Sequence, residues 1–365
     1  MAHFFAAWLA LLQPAPPAVA AFDPRWSVAF DSAPATSPGF DATTAYIPLK
    51  GGQLVAVNLD RGTIRWRVDV STALTPATGG DLVYIVAETA IEARDASTGE
   101  VRWRSPLPGG AAFPLHFDTG WLIASTTTGD LAAFRAADGH LVWRQSLGAP
   151  LSTAPGPALD RLYLALTDGR LVSVLLATGE TVWSRLLAAP IRGLLSLDDQ
   201  IVFGTAAKQM TSVDLRNGRE RWTWPLGGDV SGAPTADHKR IYFAARDNTL
   251  RAVDRGSGNL RWKANLSSRP VGGPLMLGPM TLPETVLMPL VSGEISGFDP
   301  DTGQPTVTVR AAGEIGAQPH LRTQARMTAP RVITVNREGH LQGFGRRIEP
   351  TPQLLDVLPG SPAVP

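Results

Sequence analysis

Short segments in which large apolar residues alternate with small or polar ones recur along most of the chain. Five of them share one form, a glycine followed by an alternating run, at residues 52–57, 129–134, 169–174, 293–298 and 339–344. Alternation with a period of two residues is typical of a β-strand with one buried face. No segment shows the 3.6-residue period of an amphipathic helix. The pattern therefore predicts an all-β protein.

A glycine four residues before a tryptophan follows these segments at a nearly constant spacing. The pairs are Gly62 with Trp66, Gly99 with Trp103, Gly139 with Trp143, Gly179 with Trp183, Gly218 with Trp222 and Gly258 with Trp262. Successive tryptophans of these pairs are 37 to 40 residues apart. Trp26 lies one further period upstream, and Gly303 is followed by Val307 where a tryptophan would stand. Such a period indicates a repeat architecture.

Turn signals divide each period into short strands. An aspartate and a glycine four residues apart, such as Asp95 and Gly99, lie between the alternating segment and the tryptophan. Glycine tolerates positive φ and the carboxylate caps the turn, so these residues predict hairpins. A proline 12 residues after the tryptophan, such as Pro38 after Trp26, opens the next unit, where its missing amide donor is tolerated.

Four strands in each period of about 40 residues are the pattern of a β-propeller blade. Residues 22–348 hold eight such units, so we predict an eight-bladed β-propeller of four-stranded antiparallel blades. The chain begins with an isolated tryptophan strand and ends with an alternating strand that lacks one. We therefore expect the N-terminal strand to pair with the C-terminal blade and close the ring.

The first 20 and the last 17 residues of the chain do not follow the repeat pattern. An apolar run from Phe4 to Leu12 precedes Ala18-Val19-Ala20, a small-x-small pattern that signal peptidases accept. We predict a signal peptide at residues 1–20, a propeller at 21–348 and a proline-rich disordered tail at 349–365. Export to the periplasm or beyond follows. No run approaches the length of a transmembrane helix.

Composition and charge exclude several functions. The formal net charge of +1 provides no broad basic field, so nucleic acid is a poor candidate partner. The chain contains no cysteine, which excludes disulfides, thiolate metal sites and attachment of a lipid through a thiol. With 36 glycines and 31 prolines it is rich in turn formers, and its 44% hydrophobic residues are enough to build a large core.

The Asp-x-x-Thr-Gly-x-x-x-Trp pattern, complete at residues 95–103, resembles the PQQ-like repeat shared by quinoprotein dehydrogenases and the outer-membrane assembly factor BamB family. The resemblance covers about residues 22–348. It implies that tryptophans dock between neighbouring blades, a role that we assign to Trp26, Trp66, Trp103, Trp143, Trp183, Trp222 and Trp262. Val307 departs from the pattern and predicts a looser contact between its blade and the next.

The resemblance supports two functions of different classes. Quinoprotein dehydrogenases carry long insertions, a calcium site and usually a vicinal cysteine pair, whereas the units of this chain are minimal. We therefore expect a non-catalytic, monomeric scaffold that binds other proteins, among them components of outer-membrane β-barrel assembly, with no cofactor or metal. A PQQ-dependent oxidoreductase is the alternative. A ligand-binding sensor is a third hypothesis.

Few polar residues form a pattern that suggests a site. Asp229, Arg269 and Glu314 each lie five residues before a repeat proline, near one predicted mouth of the channel. A polar binding site for a cation and simple solvated loop charge are both compatible with them, and we favour the second. The segment Asp299 to Gly303 is superficially similar to a calcium loop, but it lacks the downstream glutamate and occupies a repeat turn. Arginines flank several of the tryptophans and are expected on the outer rim.

Overall fold

Strands and tight turns alternate through all parts of the chain that the structure describes. The structure is a computed structural model, and it describes residues 20–278, 284–322 and 329–347. The predicted signal peptide, apart from Ala20, and the predicted tail lie outside these residues. Within them, no helix has the length and apolar character needed to cross a bilayer.

The first strand, β1 (Ala20–Ala29), belongs to the last blade, and blades 1 to 4 follow it in chain order. Blade 1 contains β2 (Gly39–Phe40), β3 (Thr44–Leu49), β4 (Gln53–Asn58) and β5 (Ile64–Asp69). Blade 2 contains β6 (Ala77–Gly79), β7 (Leu82–Ala87), β8 (Ala90–Asp95) and β9 (Val101–Pro106). Blade 3 contains β10 (His116–Asp118), β11 (Trp121–Ser125), β12 (Asp130–Arg135) and β13 (Leu141–Ser146). Blade 4 contains β14 (Gly156–Ala158), β15 (Arg161–Ala165), β16 (Arg170–Leu175) and β17 (Thr181–Leu186).

Blades 5 to 8 complete the ring. Blade 5 contains β18 (Ile191–Ser196), β19 (Gln200–Thr205), β20 (Gln209–Asp214) and β21 (Glu220–Pro225). Blade 6 contains β22 (Thr235–Ala236), β23 (Arg240–Ala245), β24 (Thr249–Asp254) and β25 (Leu260–Asn265). Blade 7 contains β26 (Leu275–Leu277), β27 (Thr285–Pro289), β28 (Glu294–Phe298) and β29 (Pro305–Arg310). Blade 8 contains β30 (His320–Leu321), β31 (Val332–Val335) and β32 (His340–Arg346), and takes β1 as its fourth strand.

The predicted eight-bladed all-β propeller is confirmed. Within each blade the strands pair antiparallel in chain order, apart from the last blade, whose outer strand is β1. First strands of neighbouring blades contact one another, as β2 contacts β6 and β22 contacts β26, so these strands form the inner ring. The fourth strand of each blade is the outer one.

The ring closes as the sequence predicts. Strand β1 pairs antiparallel with β32 over Phe22 to Ala29, and an ion pair between Asp23 and Arg347 with an N···O distance of 2.9 Å adds to the junction. The same strand also reaches blade 7, where Ala20 and Ala21 pair in parallel with Val307 and Thr308. One strand thus joins two blades, and this leaves the seam without a free edge.

The apolar core lies between the blades. One buried cluster combines Tyr84 and Ile91 of blade 2 with Leu122 and Phe134 of blade 3, and comparable clusters occupy the other interfaces. The alternation predicted one buried face for these strands, but both faces of β4, β12 and β16 are buried, because each face of a blade packs against a neighbouring blade.

Loops alternate between the two faces of the ring. The turns after the first and third strands of a blade lie on one face, called here the turn face. The loops after the second strand and the connections between blades lie on the other, called here the connection face. This arrangement follows from antiparallel order, because successive loops of a meander lie at opposite ends of the strands.

Candidate functional site

The seven tryptophans singled out by the repeat lie on outer strands, and each indole reaches the next blade. Every indole Nε1 donates a hydrogen bond to a backbone carbonyl there, with N···O distances from 2.8 to 3.3 Å. The acceptors are Leu59 for Trp26, Ala96 for Trp66, Ala136 for Trp103, Leu176 for Trp143, Leu215 for Trp183, Arg255 for Trp222 and Pro300 for Trp262. Each contact buries apolar ring surface and satisfies the indole N–H.

The repeat glycine explains why the indole fits. Gly139, at φ 71°, lies against Trp103 of the preceding blade, and a Cβ at this position would be 2.4 Å from the ring atom Cε3. The equivalent glycines Gly62, Gly99, Gly179, Gly218, Gly258 and Gly303 face the preceding tryptophan in the same way. The repeat position therefore requires glycine for two reasons: the turn needs a positive φ, and the indole ring of the preceding blade leaves no room for a Cβ.

Replacement of Gly139 by alanine is expected to lower the free energy of unfolding by about 2–4 kcal/mol, because it adds a clash with Trp103 to the cost of positive φ. Gly120 is the matched control. It has φ 87°, and a Cβ added to it would have no atom within 4 Å, so Gly120→Ala should cost only about 1–2 kcal/mol. Urea unfolding of both variants measures the difference, and equal losses would rule out the ring contact as the cause.

The junction between blades 7 and 8 differs from the other seven. Val307 stands at the tryptophan position and is 4% exposed. Phe22 of β1 belongs to the same buried cluster as Val307. At this junction Ala20 and Ala21 pair in parallel with β29 at Val307 and Thr308. This backbone pairing and the Phe22 side chain take the place of an indole.

Three of the five arginines directly before a tryptophan, Arg102, Arg221 and Arg261, form ion pairs with the turn aspartates of the same blade. Arg102 Nη2 lies 2.5 Å from Asp95 Oδ2, while Asp95 Oδ1 accepts hydrogen bonds from the amides of Ser97 and Thr98. The Ser97 hydroxyl and the Arg102 guanidinium hold the pKa of Asp95 well below its usual range. Arg261 and Asp254 repeat this arrangement in blade 6. These arginines, which we expected on the outer rim, thus also stabilise the hairpin turns.

Asp299 and the histidines have structural contacts. Asp299 Oδ1 accepts hydrogen bonds from the amides of Asp301 and Thr302, as a turn-capping carboxylate does. His320 stacks on Phe40 of blade 1 with ring centroids 4.1 Å apart. Burial, and then the charge of Arg322, lower the pKa of His320 to about 4, so it is neutral at pH 7. Among the described residues, no group of three or more acidic, histidine or cysteine residues could hold a metal ion.

The three residues predicted near one channel mouth lie in equivalent positions on the connection face. The backbone carbonyls of Asp229, Arg269 and Glu314 accept hydrogen bonds from Arg246, Val291 and Arg337 of their own blades. Glu314 also pairs with Arg337, with an N···O distance of 3.1 Å. Within the described residues no ion pair or hydrogen bond joins the three side chains to one another. A shared site formed by them stays a hypothesis.

A polar cleft of about 620 Å³ lies on the turn face of blades 5 to 7. The arginines in and beside this cleft are paired with carboxylates, whereas Lys239 in its lining is exposed. Arg221 bridges Asp199 and Asp214 at 2.6 and 2.9 Å, Arg255 pairs with Asp198 and Asp199, and Arg240 pairs with Asp237 and Asp301. An anion would have to displace carboxylates to reach these arginines, and the pairs of Arg255 with Asp199 and of Arg240 with Asp301 link blade 6 to blades 5 and 7.

Exposed apolar side chains are concentrated on two blades. Of the eight large hydrophobic residues exposed in the described part of the chain, five belong to blades 3 and 4: Leu141, Val142, Leu159, Val182 and Leu186. Leu159 is 72% exposed in a turn of blade 4 and adopts φ 57°. Gly80 of blade 2 and Thr119 of blade 3 have positive φ at the equivalent turn position, so the turn sets the conformation of Leu159 and leaves its side chain open to water. This surface was not among the features predicted from the sequence.

The fold and its indole junctions define the class of protein, a β-propeller of PQQ-like repeats. The family model described as outer membrane protein assembly factor BamB matches residues 87–223 and 167–341, which together make up more than half of the chain. The chain therefore belongs to this family, as the repeat pattern predicted.

Individual relatives agree with this assignment at low identity. The outer membrane protein assembly factor BamB of Nitrosomonas eutropha is 28% identical over 140 residues, which cover 37% of this chain and 34% of that protein. The BamB of Yersinia pestis is 23% identical over 248 residues, which cover 63% of this chain and 56% of that protein. The matched part of this chain thus spans between a third and just over half of the length of these relatives.

Solved structures share the fold. The crystal structure of BamB from Moraxella catarrhalis has a TM-score of 0.69 and 18% identity, covering 89% of this chain and 99% of that one. The quinohemoprotein alcohol dehydrogenase from Comamonas testosteroni has a TM-score of 0.68 and 12% identity, covering 90% of this chain and 78% of that one. Likeness at these identities concerns the fold alone.

Proposed function

We propose that this protein is a non-catalytic scaffold of the bacterial periplasm that binds other proteins during assembly of outer-membrane β-barrels. Membership of the assembly-factor family supports the process. The apolar run and the small-x-small pattern at residues 4–20 support export. The similarity to a quinohemoprotein dehydrogenase concerns the fold alone. We therefore do not propose catalysis as a second function.

The proposal that this protein binds other proteins rests on the exposed apolar surface of blades 3 and 4. Leu141 and Val142 begin β13 with exposed fractions of 46% and 45%, and Leu159 lies on the same turn face. Arginine precedes the tryptophan in blades 1, 2, 5, 6 and 8, whereas valine takes this place in blades 3 and 4. Apolar side chains in place of solvating charges mark a surface that a partner covers.

Site-specific photocrosslinking in intact cells tests this proposal. A photoreactive residue at Val142 or Leu159 is expected to capture a component of the β-barrel assembly machinery. The matched control is Leu260 on blade 6, which has a similar exposed fraction of 41% but is flanked by Arg261. Capture of no envelope protein from blades 3 and 4 would contradict the proposal. So would saturable dye reduction by the purified protein with PQQ, calcium and an alcohol or sugar.

A further inference from the structure

The outer strands of blades 1 to 6 each have one free edge, whereas the edge of β29 in blade 7 is partly paired with β1. The edge of blade 4 differs from the others. Three positions of an outer strand bear on its edge. The residues directly after and three after the tryptophan position alternate with the indole, and the residue directly before it lies at a β-bulge. In β17 they are Val182, Ser184 and Leu186. In each of the other outer strands at least one of the three residues is an arginine, and blades 2 and 5 also have a proline. For blades 1, 2, 3, 5, 6, 7 and 8, in that order, the residues are Arg65, Arg67 and Asp69; Arg102, Arg104 and Pro106; Val142, Arg144 and Ser146; Arg221, Thr223 and Pro225; Arg261, Lys263 and Asn265; Thr306, Thr308 and Arg310; Arg25, Ser27 and Ala29.

Charges and prolines on edge strands prevent pairing with another chain. At these three positions β17 therefore lacks the charge that each of the other seven outer strands has, and its one arginine, Arg185, lies on the side of Trp183. Val182 and Leu186 are 41% and 78% exposed, so both ends of this edge are apolar and open to water.

The backbone of β17 offers the hydrogen-bonding groups that an added strand needs. Directly after the strand, the amide of Leu187 donates to the carbonyl of Gly169 in the same blade, with an N···O distance of 3.0 Å. This bond shows that the backbone groups of the odd-numbered residues face β16. In an antiparallel pair the intervening residues point their amides and carbonyls the other way. Ser184 and Leu186 thus present unpaired backbone groups at the outer edge.

The two sides of the edge differ in chemistry. Val182, Ser184 and Leu186 form an uncharged side. On the other side, the exposed Arg185 donates from Nε to the carbonyl of Asn217 at 2.9 Å, in the third turn of blade 5. Arg216 and Arg219 flank Asn217 in that turn, and both are exposed. Within the described residues none of these three arginines forms an ion pair, in contrast to the paired arginines of the neighbouring cleft.

We propose that the outer edge of blade 4 binds an extended segment of a partner protein in which apolar and acidic residues alternate. The segment adds to β17 as a fifth strand. Its apolar side chains lie against Val182 and Leu186, and its carboxylates face Arg185, Arg216 and Arg219. Period-two alternation in the ligand follows from the two different sides of the edge. This inference rests on the proposed protein-binding function and names the chemistry of one partner segment.

Fluorescence anisotropy with the purified full chain tests the edge directly. The probe is a labelled synthetic peptide of alternating valine and glutamate, and a valine–lysine peptide is its charge-reversed control. Ser184→Pro removes an outward amide, and Leu186→Lys places a charge on the apolar side. Each variant is expected to bind the valine–glutamate peptide at least tenfold more weakly. Lys263→Pro, the equivalent change on blade 6, should leave binding unchanged.

Several results would overturn the proposal. These are equal loss of binding with Lys263→Pro, equal binding of the two peptides, or no binding of the valine–glutamate peptide to the unaltered protein. A concentration-dependent dimer that Leu186→Lys abolishes would instead make a second copy of this chain the occupant. Capture of assembly components at Val142 without peptide binding would contradict the edge proposal alone, whereas peptide binding without such capture would contradict the cellular role alone.

Discussion

Replacement of Trp262 by alanine is expected to lower the free energy of unfolding by about 3–5 kcal/mol. Trp262 is 9% exposed, lies in a buried cluster with Tyr242 and Phe298, and donates from Nε1 to the Pro300 carbonyl at 2.8 Å. Alanine leaves a cavity between blades 6 and 7, and the Pro300 carbonyl keeps the longer hydrogen bond from the Tyr242 hydroxyl, at 3.4 Å. Urea unfolding followed by far-ultraviolet circular dichroism measures the loss.

Two controls separate the causes of this loss. Trp262→Phe keeps much of the apolar contact but removes the N–H donor. Its free energy of unfolding should therefore lie between those of the native protein and the alanine variant. Val101→Ala removes an apolar group that is 49% exposed and should change stability by less than about 0.5 kcal/mol. A loss below about 1 kcal/mol for Trp262→Ala would contradict a stabilising role for the indole junction.

Replacement of Glu92 by alanine is expected to cost a similar amount, about 3–5 kcal/mol, for an electrostatic reason. Glu92 Oε2 accepts hydrogen bonds from Arg94 Nε and Nη2 at 3.1 and 2.7 Å, and both side chains are only about a tenth exposed. Arg94 also donates from Nη1 to the Gly99 carbonyl, in the turn that Trp66 contacts. Removal of the carboxylate leaves a guanidinium buried without its counter-ion.

The double variant Glu92→Leu with Arg94→Met distinguishes a buried charge from lost packing. Apolar residues of similar volume remove both charges together, so the double variant should regain most of the stability that Glu92→Ala loses. The same unfolding experiment applies. If the double variant is as unstable as Glu92→Ala, an uncompensated charge is not the cause.

Under the edge proposal, stability and recognition use opposite sides of the same outer strand. In β17, Trp183 and Arg185 face blade 5, whereas Ser184 and Leu186 alternate with them and Val182 is exposed at the β-bulge beside Trp183. The tryptophan on the first side recurs from blade to blade because it closes the ring. Residues on the second side differ from blade to blade, and in blade 4 alone these positions have no charge.

The amino-acid sequence by itself determined the number of blades, the division of each blade into strands and the closure of the ring. These features follow from local patterns, namely period-two alternation, turn residues and the spacing of the tryptophans, together with the incomplete units at the two ends. Such patterns act within a few residues and can be recognised without knowledge of the neighbouring blades.

The tertiary structure alone decided which groups meet across the blades. Trp103 and its acceptor Ala136 are 33 residues apart, and no local rule identifies that carbonyl. The extension of Ala20 and Ala21 onto blade 7, and the absence of a direct link between the described side chains of Asp229, Arg269 and Glu314, also depend on ring geometry. The surface of blades 3 and 4 could have been found by aligning residues beside each tryptophan, but exposure is a property of the assembled ring, because it depends on what the neighbouring blades cover.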